Sequence, residues 1–405
     1  MSVPRSVEEC LGDFLEEIEP VAAYSHFLLE AVGLTLEDEI VASRAIPPAD
    51  CAATDGYAVR AIDTQGASAL EPVSLKVIGE IAMGQTAATG VSPGTCLGIG
   101  AGVPLPAGAD AVVARADTDG GLQEVRINAS AYTGQLVKRV GEDVAAGAVV
   151  VEKGAAVGPR QIGLLAGLGV DQITVAPRPR VVVISTGEEL VEPGKQANPG
   201  EVHDANSYLL AATVRAAGGI SYRVQVASNN PATFAEVLED QLVRADLVVV
   251  TGGHAGVARA ALGRESTIRF EDVAIRPGGF LGHGFMGLEN TPVFVLPADP
   301  VAAYVSFTVF VEPAIRRLAG RSPQIRPLFR ALLETDLRSY AGVNHYVGAE
   351  FIADPQGARV RPIGGPGSQV LSDLAAANAL IVMRPDVTEA KAGDPVPMIL
   401  LDRDY

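Results

Sequence analysis

The 405-residue chain is too long for a single hydrophobic core, so we expect several domains. Its formal net charge of −17 repels nucleic acid and anionic lipid surfaces, and no apolar run reaches the ~20 residues that span a bilayer. We therefore expect no nucleic-acid partner and no direct membrane insertion. Three widely separated cysteines and an N-terminus without an export signal predict a cytoplasmic protein with no metal cluster.

Two helices are predicted at the N-terminus. Ser6 followed by Glu9 is the signature of a capping box, and apolar residues then recur at helical spacing until Pro20. A second, shorter helix is predicted over Tyr24–Gly33, with the glycine ending it.

The stretch from Thr35 to Val140 changes character. Short apolar runs alternate there with Gly and Pro turns, which predicts a β-rich module. The predicted strands are Val73–Ile81, Ala111–Ala116 and Val125–Ile127, and a helix over Gln161–Gly169 leads out of the module.

An alternating strand and helix pattern follows Pro177–Arg180 and is typical of a doubly wound sheet. The predicted strands are Val181–Ser185, Ser221–Ala227, Asp246–Val250, Val273–Ile275 and Val293–Leu296. The predicted helices are Asp204–Ala217, Pro231–Arg244 and Pro300–Leu318. Any one of the turns after these strands can be a turn that merely needs glycine. Because several converge where ligands bind in such sheets, we expect a ligand crevice at this edge.

The end of the chain predicts a small β-barrel. Arg321–Pro327 carries two prolines and is interpreted as a linker. The predicted strands after it are Leu328–Leu337, His345–Ile352, Arg359–Pro362, Leu380–Met383 and Pro397–Leu401, with a brief helix over Ser372–Asn378.

Nine motifs occur in an order and at a spacing that resemble one family. They are DCAATDGYAV (Asp50–Val59), GVPLPAGADAVV (Gly102–Val113), VGEDVAAGAVV (Val140–Val150), STGEEL (Ser185–Leu190), VHDANS (Val202–Ser207), TGG (Thr251–Gly253), RPGG (Arg276–Gly279), LPADP (Leu296–Pro300) and GSQVLSDLAAANALI (Gly367–Ile381). The chain resembles the molybdopterin molybdenumtransferases, whose eukaryotic relative is the E domain of gephyrin. Members insert molybdate into an adenylylated pterin dithiolate with Mg²⁺.

The resemblance implies an α/β multidomain fold with four subdomains and a homodimer. Subdomain I comprises residues 1–43 and 141–177, is helical and forms the dimer. Subdomain II is a β-rich insertion at 44–140. Subdomain III, at 178–322, is an α/β molybdopterin-binding-like domain with a pterin-phosphate crevice. Subdomain IV, at 323–405, is a β-barrel.

The resemblance also assigns candidate site residues. Catalytic positions fall on Asp55, Asp143 and Ser368, and Glu189 is a candidate metal ligand. The residues expected to bind the pterin phosphate are Thr186, Gly187, Glu188, Gly252, Gly253 and Arg276. Backbone N–H groups at such glycines can approach an anion closely.

Other positions depart from the family pattern. Asn229 and Asn230 replace the family's acidic pair before a helical proline, and Ala260 stands where an Asp is expected. Gly279 stands where the family's K-P-G-K motif has its second lysine, and Val347 stands where the last domain is expected to have a basic residue. Because carboxylates hold Mg²⁺ far better than amides do, this pattern predicts weak metal binding and low activity. His254, His283 or Asp299 are left open as local substitutes.

Two hypotheses follow. The first is a scaffold without a cofactor, similar to actinobacterial gephyrin-like members. It would bind a short peptide of the tubulin-like division protein and a membrane receptor, and would be recruited from the cytoplasm to the septum. The expected peptide contacts are Leu11, Phe14, His345, Tyr346, Arg384 and Pro385, although Leu11 and Phe14 also fit ordinary helix packing. The alternative is an active transferase that uses Mg²⁺ and molybdopterin.

Overall fold

The computed structural model describes residues 4–226, 228–252, 256–263, 267–354, 357–365 and 367–401. The chain divides into two compact units: Met1–Glu37, Gly154–Gly158 and Gln172–Tyr405 form the first, and Asp38–Lys153 with Pro159–Asp171 form the second. The boundaries of the four subdomains remain predictions. No helix among the described residues is long and apolar enough to cross a membrane.

A six-stranded sheet forms the centre of the first unit. Its spatial order is Ile220–Val226, Arg180–Thr186, Leu247–Thr251, Thr291–Leu296, Phe280–Met286 and Ile268–Asp272. The first four strands run parallel, and the last two pair antiparallel. The central strands consist of β-branched and other apolar residues because both faces of the sheet are covered.

Alternate residues of these strands face opposite layers of the core. Val181, Val183, Leu247 and Val249 pack with the helix Ala205–Ala216. The intervening residues Val182, Ile184, Val248 and Val250 pack on the other face, with Phe234 and Leu238 of the helix Pro231–Leu242. This period of two follows from the pleat of the strands and places their carboxyl ends at one edge.

The helix predicted over Pro300–Leu318 has three parts. Pro300–Ser306 and Glu312–Leu318 are α-helical, and Phe307–Val311 between them is π-helical. Pro313 has no N–H to donate to the carbonyl of Val309, so the regular ladder is interrupted where the wider turn lies. A short helix, Val257–Leu262, completes the layers around the sheet.

The first predicted N-terminal helix is confirmed over Val7–Leu15, with Ser6 and Glu9 forming the capping box. The second is wrong. Tyr24–Phe27 is a strand that pairs antiparallel with Gln172–Ala176, which in turn pairs with Thr35–Leu36. The partner strand is distant in sequence, so local propensity did not reveal it.

The barrel closes through a ring of five strands. The order is Asn344–Asp354, Gly357–Pro362, Phe329–Leu333, Pro395–Leu400 and Ala379–Met383, which pairs back with the first. The helix Leu371–Ala376 lies between two of them in sequence. Two further two-stranded pairs in this unit join Leu190–Val191 to Val202–His203 and Leu337–Arg338 to Glu389–Ala390.

One predicted strand belongs elsewhere. Ile275–Arg276 pairs in parallel with Asn344–His345 of the barrel and not with the α/β sheet. This edge of the α/β sheet is instead formed by Ile268–Asp272, which pairs with Phe280–Met286. The expectation that Val273–Ile275 ends at the crevice edge is therefore wrong, because Val273 bridges Arg5 and Ile275 pairs with Asn344 of the barrel.

The second unit is mainly β-structure, as predicted. Its five-stranded sheet has the order Ala111–Ala114, Gly56–Val59, Thr95–Ile99, Val73–Ile81 and Glu124–Ile127. Two small antiparallel pairs join Val137–Lys138 to Cys51–Ala52 and Val149–Val151 to Ile40–Val41. The predicted helix after them is confirmed as Pro159–Leu168.

A partly buried ionic cluster connects the N-terminal segment to the edge of the α/β sheet. Glu271 accepts a hydrogen bond from Arg5 Nη1 at 3.1 Å and lies 3.5 Å from His283 Nε2. The Cys10 thiol points at the same carboxylate. His283 is only 3% exposed, and its burial lowers the pKa of the imidazole below the usual value.

This burial predicts a loss of stability at mildly acidic pH. In the unfolded chain His283 takes up a proton near pH 6.5, whereas in the folded chain its depressed pKa opposes protonation. The unfolded state therefore binds more protons, and the free energy of unfolding should fall as the pH drops below about 6.5. Urea denaturation between pH 7.5 and 5.5 measures this, and His283→Phe should flatten the profile. His203→Gln, at an exposed position, serves as the control. A His283→Phe profile as steep as that of the unmodified chain would contradict the account.

Candidate functional site

A cavity of about 350 Å³ lies at the carboxyl ends of the central parallel strands, and we call it the crevice. Its lining comprises Ser185, Thr186, Glu189, Leu190, Val202, His203, Asp204, Ala205, Asn206, Thr251, Gly252, Ala298 and Pro300. This is the place where ligands bind in open α/β sheets, so the sequence-based expectation of a crevice here is confirmed.

Asp204 forms the floor of the crevice. It is 1% exposed, caps the helix Ala205–Ala216, and accepts the N–H of Ser207 at 3.0 Å. Its other oxygen accepts the hydroxyls of Ser185 and Ser207, each at 2.6 Å. Arg223 Nε in turn donates to Ser207 Oγ at 2.9 Å. The carboxylate therefore joins the end of one strand to the start of the next helix.

Asn206 presents an unused acceptor. Its amide nitrogen donates to Thr251 Oγ1 at 2.9 Å and to the carbonyl of Ala298 at 2.7 Å. Because a carbonyl can only accept, these contacts fix which end of the amide is the nitrogen. The Oδ1 atom is buried without a hydrogen-bond partner. A buried acceptor of this kind is costly unless a ligand or water donates to it.

Two glycines bring the backbone close to the crevice. A Cβ on Gly252 would collide with Thr186 Oγ1, and one on Gly187, at φ +151°, would lie 2.6 Å from the Glu189 carboxylate. A side chain is therefore disfavoured at both positions. Gly252 lines the crevice, whereas the N–H of Gly187 already donates to the carbonyl of Val226 at 3.2 Å. Glu188 accepts the N–H of Asn229 at 3.2 Å. Gly253 and His254 lie outside the described residues.

The residues at the expected metal position do not fit Mg²⁺. Asn230 Oδ1 accepts the N–H of Ala232 and so caps the helix Pro231–Leu242, and Ala260 has no ligand atom in its side chain. Within residues 4–401, apart from the undescribed gaps, no three His, Cys, Asp or Glu side chains are grouped to hold a metal. The remaining local substitutes are also occupied: Asp299 caps a helix, and His283 is buried against Glu271.

Arg276 lines a second cavity, of about 650 Å³, which we call the loop cavity. Its other lining residues are Pro4, Asp272, Val273, Ile275, Pro277, Gly278, Gly279, Val343, His345, Gly367 and Gln369. The exposed guanidinium lies over the Tyr340 ring, with 4.3 Å between the central carbon and the ring centroid. The strand that carries Arg276 pairs with the barrel sheet, and the expected role of Arg276 toward the pterin phosphate remains a prediction.

The three candidate catalytic residues occupy different places. Ser368 lies next to Gly367 and donates to Asp373 Oδ2 at 2.7 Å. Asp55 and Asp143 belong to the second unit. There, Asp55 Oδ1 accepts the N–H of Ala101 at 2.8 Å and Asp143 accepts from Lys138 Nζ at 2.6 Å.

Most residues expected to contact a peptide are buried within the chain. Leu11 and Phe14 are 7% and 2% exposed, and both face the core of the first unit. His345 and Tyr346 are also buried. The ordinary packing of the first helix therefore accounts for Leu11 and Phe14, and Tyr346 packs in the same core, whereas His345 lines the loop cavity. Arg384 and Pro385 are exposed, and their role remains a prediction.

Sequence reasoning missed the roles of four residues. Asp204 and Asn206 lie in the VHDANS motif, at the start of a predicted helix, but were given no part in the site, and Thr251 was assigned only to its TGG motif. Tyr340 carried no signal, because its contact with Arg276 depends on the pairing of Ile275–Arg276 with the barrel. The signal available in the sequence for the crevice was the spacing of Asp204 and Asn206, two residues apart and directly after the short strand Val202–His203.

Comparisons with known proteins agree along the whole chain. The profile of the MoeA N-terminal region (domain I and II) matches residues 5–169, that of a probable molybdopterin binding domain matches 182–317, and that of the MoeA C-terminal region (domain IV) matches 330–401. Molybdopterin molybdenumtransferase 2 of Mycobacterium tuberculosis is 38% identical over 402 residues, covering 96% of this chain and 98% of that protein. Molybdopterin molybdenumtransferase 1 of the same organism is 36% identical and covers 92% and 93%.

A solved structure is similar over nearly the full length. The molybdopterin biosynthesis MoeA protein of Pyrococcus horikoshii OT3 superimposes with a TM-score of 0.84 at 29% identity, covering 98% of this chain and all of that one. The fold and crevice define a multidomain α/β protein with a molybdopterin-binding-like domain and a closed C-terminal barrel, which confirms the predicted fold class. The chain belongs to the molybdopterin molybdenumtransferase (MoeA) family.

Proposed function

We propose that this protein binds molybdopterin in the crevice and acts in molybdenum cofactor biosynthesis. The observation that carries the proposal is the buried, unpartnered Oδ1 of Asn206. A pterin ring has N–H donors along one edge, so a bound pterin supplies the hydrogen bond that this acceptor lacks. The match to a probable molybdopterin binding domain and the similarity to molybdopterin molybdenumtransferases support the same ligand.

Different residues are proposed to bind different parts of the ligand. Asn206, Thr251 and Asp204 offer hydrogen-bonding groups of the kind that orient a flat heterocycle. The backbone at Gly252, which lines the crevice without a side chain, suits a phosphate. Arg276 is the exposed cation expected to bind an oxyanion in the loop cavity, because a guanidinium donates to two oxygens at once.

The proposed activity toward molybdate is weak. Mg²⁺ prefers several oxygen ligands, of which carboxylates bind best. Glu189 lines the crevice, whereas amides occupy Asn229 and Asn230, where the family pattern has an acidic pair. We expect the protein to hold its ligand without Mg²⁺ and to insert molybdate slowly, since each missing contact to developing charge costs about 2–4 kcal/mol of stabilisation.

The test is calorimetric titration with molybdopterin kept under anaerobic conditions. The unmodified protein should bind, and Asn206→Ala should weaken binding about 10-fold because a buried acceptor for the ligand is lost. Leu136→Ala, a partly exposed position in the second unit, is the matched control and should leave binding unchanged. Equal affinity of the Asn206→Ala variant would contradict the assignment of the crevice.

The scaffold hypothesis is the second proposal, with a homodimer that binds a peptide of the tubulin-like division protein and a membrane receptor at the septum. It rests on the substituted acids and lysines, and among its expected contacts only Arg384 and Pro385 are exposed. The calorimetric test bears on it directly. A protein that binds no molybdopterin but does bind short apolar C-terminal peptides would favour the scaffold over the crevice.

A further inference from the structure

Tyr340 occupies a position that neither the family resemblance nor the crevice explains. It follows the short strand Leu337–Arg338 and lies under the guanidinium of Arg276. The ring is 36% exposed, so it is not a core residue that packs only for burial. Three of its neighbours, Arg276, His345 and Gly367, line the loop cavity.

Two neighbours fix the orientation of the ring. His345, which is 1% exposed, meets it edge-on with 5.1 Å between ring centroids, and the His345 ring is itself held by the hydroxyl of Ser339 at 3.2 Å. Gly367, at φ +79°, approaches the phenol so closely that a Cβ there would lie 2.8 Å from the Tyr340 oxygen. The ring therefore has little freedom to turn away from Arg276.

The cation above the ring is otherwise free to act. Among the described residues Arg276 makes no ion pair, although Asp272 also lines the cavity. Burial, and then the charge of Arg276, lower the pKa of His345, so the histidine is neutral at pH 7 and adds no second cation. An arginine whose guanidinium lies over an aromatic face keeps the N–H groups in the guanidinium plane free to donate to an oxyanion.

We propose that Tyr340 is a positioning residue that holds the Arg276 guanidinium toward an oxyanion in the loop cavity. The inference rests on the proposed function, because it takes Arg276 as the oxyanion-binding group. It adds that the aromatic face, and not the phenol hydroxyl, sets the affinity. It also gives a physical reason for arginine at this position, since a planar guanidinium stacks on a ring and a compact ammonium is more strongly hydrated.

The experiment is a double-mutant cycle on the full chain with molybdate as the probe, read by calorimetry. Arg276→Gln should weaken molybdate binding by about 10-fold or more, since it removes the charge. Tyr340→Leu should weaken it about 2- to 5-fold, the range expected of a cation–π contact at a partly exposed site. Tyr340→Phe should bind like the unmodified chain. In the Arg276→Gln background, Tyr340→Leu should change nothing further.

The control is Tyr222→Leu. Tyr222 is 37% exposed and also lies under an arginine, Arg244, but on the edge strand of the α/β sheet. It should leave molybdate binding unchanged, and thermal unfolding of both leucine variants checks for a general loss of stability. An equal effect of Tyr340→Leu with and without Arg276 would overturn the inference alone. If Arg276→Gln had no effect, or if the unmodified chain bound no molybdate, the oxyanion role of Arg276 would be overturned and the inference with it. Molybdopterin binding at Asn206 is measured separately and does not depend on this result.

Discussion

Replacement of Asp204 by alanine is expected to lower the free energy of unfolding by about 3–7 kcal/mol. The helix Ala205–Ala216 loses its cap, which costs about 1 kcal/mol. The hydroxyls of Ser185 and Ser207 lose their acceptor inside the protein, at about 1–3 kcal/mol each. Chemical denaturation of the purified variant measures the change, and molybdopterin binding should weaken with it because the crevice floor is lost.

The matched variant is Asp204→Asn. Its oxygen can still accept the N–H of Ser207, and its amide nitrogen can donate to hydroxyl oxygens that rotate to meet it. We expect a loss well below that of Asp204→Ala. If alanine and asparagine destabilised the protein equally, or if alanine cost less than about 1 kcal/mol, the hydrogen bonds of Asp204 would not organise the crevice.

Restoration of carboxylates should restore metal binding. The triple variant Asn229→Asp, Asn230→Asp, Ala260→Asp is expected to bind Mg²⁺ on the order of 100-fold more tightly than the unmodified chain, because affinity for hard cations follows the number of charged oxygen ligands. The fold should tolerate the change. Asp caps a helix as well as Asn does, so Asn230→Asp retains the start of Pro231–Leu242, and Ala260 is exposed.

The control for the triple variant adds the same charge in the second unit. Gln65→Glu, Gln85→Glu and Gln123→Glu lie at exposed positions there. Calorimetry of Mg²⁺ binding compares the two proteins. If both bound Mg²⁺ equally, the gain would reflect net charge and not a restored site, and the substitutions at Asn229, Asn230 and Ala260 would not explain the weak metal binding.

The parts of the fold that depend on local pattern were predictable. Continuous apolar runs such as Leu247–Val250 predicted buried parallel strands, and the capping box predicted the first helix. The family motifs supplied the order of domains. The strand Tyr24–Phe27 was predicted as helix because its antiparallel partner lies far along the chain.

The site was predictable only in part. The crevice followed from the rule that ligands bind at the carboxyl ends of parallel strands, and Thr186 and Gly252 lie there. The geometry of Asn206 was not predictable, since it depends on which amide atom meets the carbonyl of Ala298. The place of Arg276 at the loop cavity was not predictable either. It depends on the pairing of Ile275–Arg276 with the barrel, which is a contact between distant segments of the chain.

The central claim is that the crevice has kept its pterin site and lost its metal site. Calorimetric titration of the unmodified protein with molybdopterin, in the presence and absence of Mg²⁺, tests it most directly. We expect binding in both conditions with affinities that agree within about 2-fold, because the described residues offer no group of carboxylates for the metal. Binding that requires Mg²⁺, or no binding in either condition, would contradict this account.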